Sequence, residues 1–167
     1  MREETGAVIG ALRADACATP ERIAVMTGLD ERAVREEIAA LERDGVIRGY
    51  RLVTDPERLR AATGAETVTA IIDVSVSPER GEGYDSIAAR IAGFPEVRSV
   101  CLVSGGQDLR CEVEGASMAA VADFVARKVA TLEQVTHTAT RFVMKQYKSD
   151  GVLFNRAAMD HRQKVMP

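Results

Sequence analysis

Residues 102–115, LVSGGQDLRCEVEG, restrict the fold more than any other stretch of this chain. Leu109, Cys111 and Val113 alternate there with Arg110, Glu112 and Glu114. A period of two marks a strand with one buried face. A second apolar run ends at Leu102 and Val103, and Ser104-Gly105-Gly106-Gln107-Asp108 joins the two. A glycine-containing turn between such runs predicts an antiparallel hairpin. The two glycines permit positive φ and leave backbone N–H groups open to a small anion, while the Asp108 carboxylate suits an amine. The stretch therefore has two readings: a tight hairpin and nothing more, or a seat for the two ends of a free amino acid.

The hairpin sits inside an alternation of strands and helices. A strand is predicted from about Thr67 to Val76, with Val68, Ala70, Ile72, Val74 and Val76 on one face. Ser77-Pro78-Glu79-Arg80-Gly81 ends it. A helix follows with Tyr84, Ile87, Ala88, Ile91 and Ala92 on a 3.6-residue stripe, stopped by Gly93-Phe94-Pro95. After the hairpin, Ser117 caps a helix carrying Met118, Val121, Ala122 and Val125, and a last strand covers roughly Val135 to Tyr147. The order βαββαβ predicts an α+β, ferredoxin-like sheet with two helices on one face. The other face, with Ile71 and several threonines, is expected to be buried against a partner subunit. Thr138 and Thr140 of the last strand are candidate hydroxyls for a ligand at the turn. A turn of residues 104–108 sets Cys101 opposite Cys111, within disulfide reach; a reducing compartment predicts both as thiols.

Residues 1–50 read as three helices and a short strand. Val8, Ile9 and Leu12 stripe the first. Thr19-Pro20 opens the second as cap and first helical residue, with Ile23, Ala24 and Met26 as its apolar side. Asp30 caps the third, whose inner stripe is Val34, Ile38 and Leu41, and Gly45 stops it. Ala24 with Gly28-Leu29 has the spacing of a helix-turn-helix, and Val46-Ile47 leads into a wing strand through Tyr50-Arg51-Leu52. On that reading Arg32 and Arg35 meet base edges, and Arg22, Arg48 and Arg51 hold phosphates. Residues 1–65 contain ten Arg and no Lys against twelve Asp plus Glu, so 10 − 12 = −2. The helix that would read DNA is itself acidic, with Glu31, Glu36, Glu37 and Glu42.

The net charge of −3 argues against indiscriminate nucleic-acid binding. No apolar run approaches the ~20 residues of a membrane span, and the acidic opening is unlike a signal peptide. Three cysteines in no metal spacing agree with a reducing, cytoplasmic setting. No catalytic, metal or cofactor site is predicted.

With both halves placed, the chain resembles the Lrp/AsnC family, the feast-or-famine transcriptional regulators. LERDGVIRGY (41–50) and LVSGGQD (102–108) carry the resemblance, and order and spacing match from about residue 5 to Phe154. The resemblance implies a winged helix-turn-helix joined to a sensing and oligomerisation domain; along this chain these are residues 1–52 and 66–154, with a linker over 53–65 and a tail over 155–167. It implies double-stranded DNA as a partner, homodimers often assembled into tetramers or octamers, and an amino-acid effector bound between subunits near the turn matching Ser104, Gly105 and Asp108, with Gly106 between them. The chain departs from the family in its acidic third helix, in its extended tail and in lacking a Leu-Asp…Asp opening. Two alternatives use the same architecture. One is a decarboxylase of sirohaem-type tetrapyrroles, for which His137 and His161 are the available histidines. The other is a sensor without DNA binding.

Overall fold

The computed structural model describes residues 2–77 and 83–154. The expected end of the first strand at residues 78–81, His161 and the tail over 155–167 lie outside them. The chain divides into two compact units, residues 1–52 and 53–167.

The first unit is built on three helices: α1 (Arg2–Ala14), α2 (Pro20–Thr27) and α3 (Glu31–Arg43). Their ends follow from local chemistry. The Thr19 side chain accepts from the Arg22 N–H, and Pro20 occupies the first turn, where no amide is needed. Gly28 closes α2 in the left-handed conformation at φ 73°, its N–H bonded to Ala24 C=O at 2.8 Å. The Asp30 carboxylate accepts from the Arg32 and Ala33 amides and starts α3. Val8, Ala11, Ala18, Ile23 and Val34 form the core, with Leu12, Ala24, Leu29 and Ile38 packed against it. Met26, expected inside, is 54% exposed, because Ile23 and Ala24 already fill the inner face. Residues 47–52, read as the wing strand, form no strand pairing. A strand needs a partner for its backbone groups, and the described residues of this unit form no other strand. Leu52 is accordingly 88% exposed.

The second unit opens with α4 (Pro56–Thr63), where the sequence suggested a linker with a helical turn. Asp55 caps it through the Glu57 and Arg58 amides, and Gly64 ends it in the left-handed region. The order is then β1 (Val68–Val76), α5 (Asp85–Ala92), β2 (Val97–Leu102), β3 (Leu109–Gly115), α6 (Met118–Phe124) and β4 (Val135–Phe142). All neighbours in the sheet β2-β3-β1-β4 are antiparallel. Ala70, Ile72, Val74 and Val76 share one face with Leu109, Cys111 and Val113 and pack against Ile87 and Ile91 of α5 and Val121 and Phe124 of α6. Met118, Ala92 and Ala122, expected on the inner stripes, are exposed. A π turn over Val125–Val129, closed by Ala130 N–H to Val125 C=O at 2.8 Å, prolongs α6. Lys128 from this turn lies 5.6 Å from the ring centres of Phe94 and Phe124 and 2.6 Å from Glu96.

Two strand expectations change. β4 stops at Phe142 rather than Tyr147, and a small hairpin of β5 (Lys148–Ser149) and β6 (Val152–Leu153) follows. The β2–β3 register pairs Leu102 with Leu109, Cys101 with Arg110 and Val100 with Cys111. The turn is therefore one residue longer than expected, and a one-residue slip reverses every side chain. Cys101 faces away from Cys111, and the two are free thiols. Burial pushes the Cys111 thiol up to about 11.

Candidate functional site

In the first unit, α3 carries the expected base-reading residues. Arg32 and Arg35 project into solvent with side chains 86% and 60% exposed. Each is paired. Arg32 Nε lies 2.8 Å from Glu36, whose hydrogen bond and charge raise the guanidinium's pKa. Arg35 donates to Glu31 at 2.5 Å and lies 3.7 Å from Glu21 of α2. Arg22 binds Asp15 at 2.9 Å. Arg48 and Arg51 are exposed, and among the described residues neither has an ion-pair partner. The remaining α3 glutamates serve packing: Glu37 accepts from the Thr5 hydroxyl at 2.6 Å, and Glu42 from Tyr50 at 3.0 Å.

In the second unit, the turn between β2 and β3 borders an open pocket of about 510 Å³, lined by residues 102–107 and Arg110. Asp108 fastens the turn. Its N–H donates to Val74 C=O at 3.2 Å, and its C=O accepts from Val103 N–H at 2.8 Å. Its carboxylate accepts from Val76 N–H at 2.9 Å and from the Tyr84 hydroxyl at 3.3 Å. Among the described residues, the four amides of Ser104, Gly105, Gly106 and Gln107 donate to no protein acceptor. Gly105 has φ 142°, a value that side chains disfavour; Gly106 does not share it. A Cβ placed on either glycine meets nothing within 4 Å. Consecutive open amides of this kind form an anion-binding concavity.

Thr138 and Thr140 do not join this turn. They pair with Val74 and Ile72, so they face the helix side of the sheet, with β1 standing between β4 and the hairpin. The strand alternation fixes their parity. His137 pairs with Ser75 on the opposite, open face.

That open face is more polar than the half-apolar one the sequence suggested, because charged residues occupy its centre. Asp73, 1% exposed, receives Arg110 Nε at 3.0 Å from β3 and Arg141 from β4. Burial alone would raise the Asp73 carboxyl, but the hydrogen bonds and charge of the two arginines outweigh it and hold it low. The pair was missed because a lone aspartate in an apolar run carries no local sign of distant partners. Its odd position among even apolar ones was the available signal.

A family model described as the Lrp/AsnC ligand binding domain matches residues 69–153. The chain belongs to the Lrp/AsnC family. It is 41% identical over 167 residues to the uncharacterized HTH-type transcriptional regulator YugG of Bacillus subtilis, covering 100% of this chain and 99% of that one. It is 27% identical to a leucine-responsive regulatory protein of Rhizobium meliloti over 84% of this chain and 87% of the other. Among solved structures, a feast or famine regulatory protein from M. tuberculosis complexed with L-methionine aligns with TM-score 0.70 at 27% identity, over 92% and 98% of the two chains. An L-Met complex of a transcriptional regulator from Neisseria meningitidis aligns with TM-score 0.67 at 21% identity, covering 87% and 91%, and shows the shared fold. This Lrp/AsnC chain carries a helix-turn-helix unit followed by a ferredoxin-like unit, and the turn over residues 102–108 falls within the span of the ligand-binding model.

Proposed function

We propose that this chain is a sequence-specific DNA-binding transcriptional regulator whose homo-oligomer responds to a small amino acid. The full-length match to an HTH-type regulator supports the DNA half, and two of the aligned structures were solved with L-methionine. The observation that carries the effector half is the run of four open amides in the pocket beside Asp108. In this reading the Gly105 and Gly106 amides meet the effector carboxylate. Asp108 uses two of its roughly four acceptor positions internally, so its carboxylate can still accept from an ammonium. Arg32 and Arg35 read bases, while Arg22, Arg48 and Arg51 hold phosphates.

Calorimetry of the full chain with the common amino acids tests this, using Gly106→Ala beside the wild type. Gly106 has ordinary φ and open space, so the substitution leaves the free chain unstrained. It should bind an effector ~10-fold or more weakly, because the methyl fills ligand space. A wild type that binds no amino acid, or equal affinity in Gly106→Ala, would rule out the turn as the effector seat.

A further inference from the structure

We infer that Glu31 and Glu36 set the sequence discrimination of α3 by neutralising Arg35 and Arg32 until base edges replace them. The inference rests on the docking of α3 proposed above.

The geometry divides the α3 carboxylates into two kinds. Glu37 and Glu42 are tied to hydroxyls of Thr5 and Tyr50. Glu31 and Glu36 are tied to the two arginines on the exposed face, each at i,i+4 spacing, and Glu21 of α2 stands farther off, 3.7 Å from Arg35. The first unit, residues 1–52, carries eight Arg and ten Asp plus Glu, so 8 − 10 = −2. Nothing in that balance draws the unit to phosphate in general.

These pairs do little for folding. Their side chains are 45% to 86% exposed, and ion pairs in water contribute weakly. Their effect falls on the encounter with a polyanion. Sequence-independent affinity comes from cations that release counterions from phosphates. A guanidinium already matched by a carboxylate brings no net charge, and the carboxylate itself is repelled. On the docked face the arginines meet base edges in the major groove, and there only a guanine edge offers two acceptors matching the guanidinium fork, so it takes the arginine from its carboxylate where another base does not. The carboxylates thus lower binding to all sequences and spare the one that replaces them.

The test measures binding of the full chain to two duplexes across a salt series. One duplex is random in sequence; the other is selected in vitro by the wild type. The double variant Glu31→Gln/Glu36→Gln should bind the random duplex ~10-fold more tightly at low salt, with a salt slope steeper by about 1–2. The selected duplex should change little, so the ratio between the two falls ~10-fold. Unchanged random-duplex binding overturns the inference. So does weaker binding confined to the selected duplex, which would make the carboxylates base readers of cytosine instead. Arg35→Ala separates the two levels. If it weakens the selected duplex while the glutamine variant changes nothing, the docking stands and the inference fails. If Arg35→Ala also changes nothing, both fail.

Discussion

On α3, arginines and carboxylates stand in water, Arg32 beside Glu36 and Arg35 beside Glu31 and Glu21, each able to swing away without disturbing a core. On the open face of the sheet, a single carboxylate is 1% exposed and shared by two arginines from the strands on either side. The functional groups are the same. What differs is the solvent around the anion. An exposed pair is an equilibrium that another ligand can enter, whereas a buried carboxylate binds its strands together and is costly to orphan. Burial, rather than pairing, separates a replaceable contact from a structural one in this molecule.

The largest break of that comparison is Asp73→Ala. It leaves Arg110 and Arg141 facing one another with no anion between them. A fully buried pair loses more, but both arginines are over half exposed, so the expected loss is about 2–3 kcal/mol for the second unit. Hydrogen exchange at β1 and β3 amides measures it, with α1–α3 amides unchanged as the control. A loss below the error of the measurement would mean the shared carboxylate is no more structural than the α3 pairs.

Acid sharpens the same contrast. Asp73 and Glu96 both titrate below their ordinary values of 3.8 and 4.5, Glu96 chiefly through its hydrogen bond from Lys128. Groups with depressed folded values contribute stability that is fully present above the ordinary value and lost as pH falls through the folded one. The second unit should therefore weaken as pH drops below about 4.5. Asp73→Asn should flatten that acid limb in a pH series of thermal unfolding. An unaltered limb would assign it to other carboxylates.

Smaller effects are expected on the helix. Arg35→Ala should cost ~1–3 kcal/mol on a selected duplex and relax preference at one base step, read by anisotropy titration. The smallest is thermal: Glu31→Gln/Glu36→Gln should leave the unfolding midpoint within about 3 °C of the wild type, as expected for surface changes. A larger fall would place these pairs with Asp73 instead of against it.

What the sequence revealed follows the same division. Thr19-Pro20, Asp30, Gly28 and Ser117 signal helix ends through bonds made within three or four residues, and the structure has those ends. The even-position run from Val68 to Val76 is legible because each residue reports its own face. The hairpin register was not legible. It depends on how β2 pairs with β3, which lengthens the turn by one residue and sends Cys101 to the far face, while Asp108 is held by Val76, 32 residues away. The same kind of distance hid the partners of Asp73, and it placed Thr138 and Thr140 on the helix side. In the candidate site, the glycines and Asp108 were visible as a turn. The openness of its four amides was not, since it depends on what every neighbouring carbonyl does instead.

Asp108 has one further consequence. Through its amide, its carbonyl and both carboxylate oxygens it stitches the turn to β1, to Val103 just past β2 and to Tyr84. The ordering of the loop over residues 103–108 is thereby completed when the sheet folds, so its open amides are held in place. An anion seated there would sacrifice little loop entropy. The same stitches run the other way: a ligand that pulled on the turn would pull on the last residues of β1, an inner strand, and on the residue that opens α5.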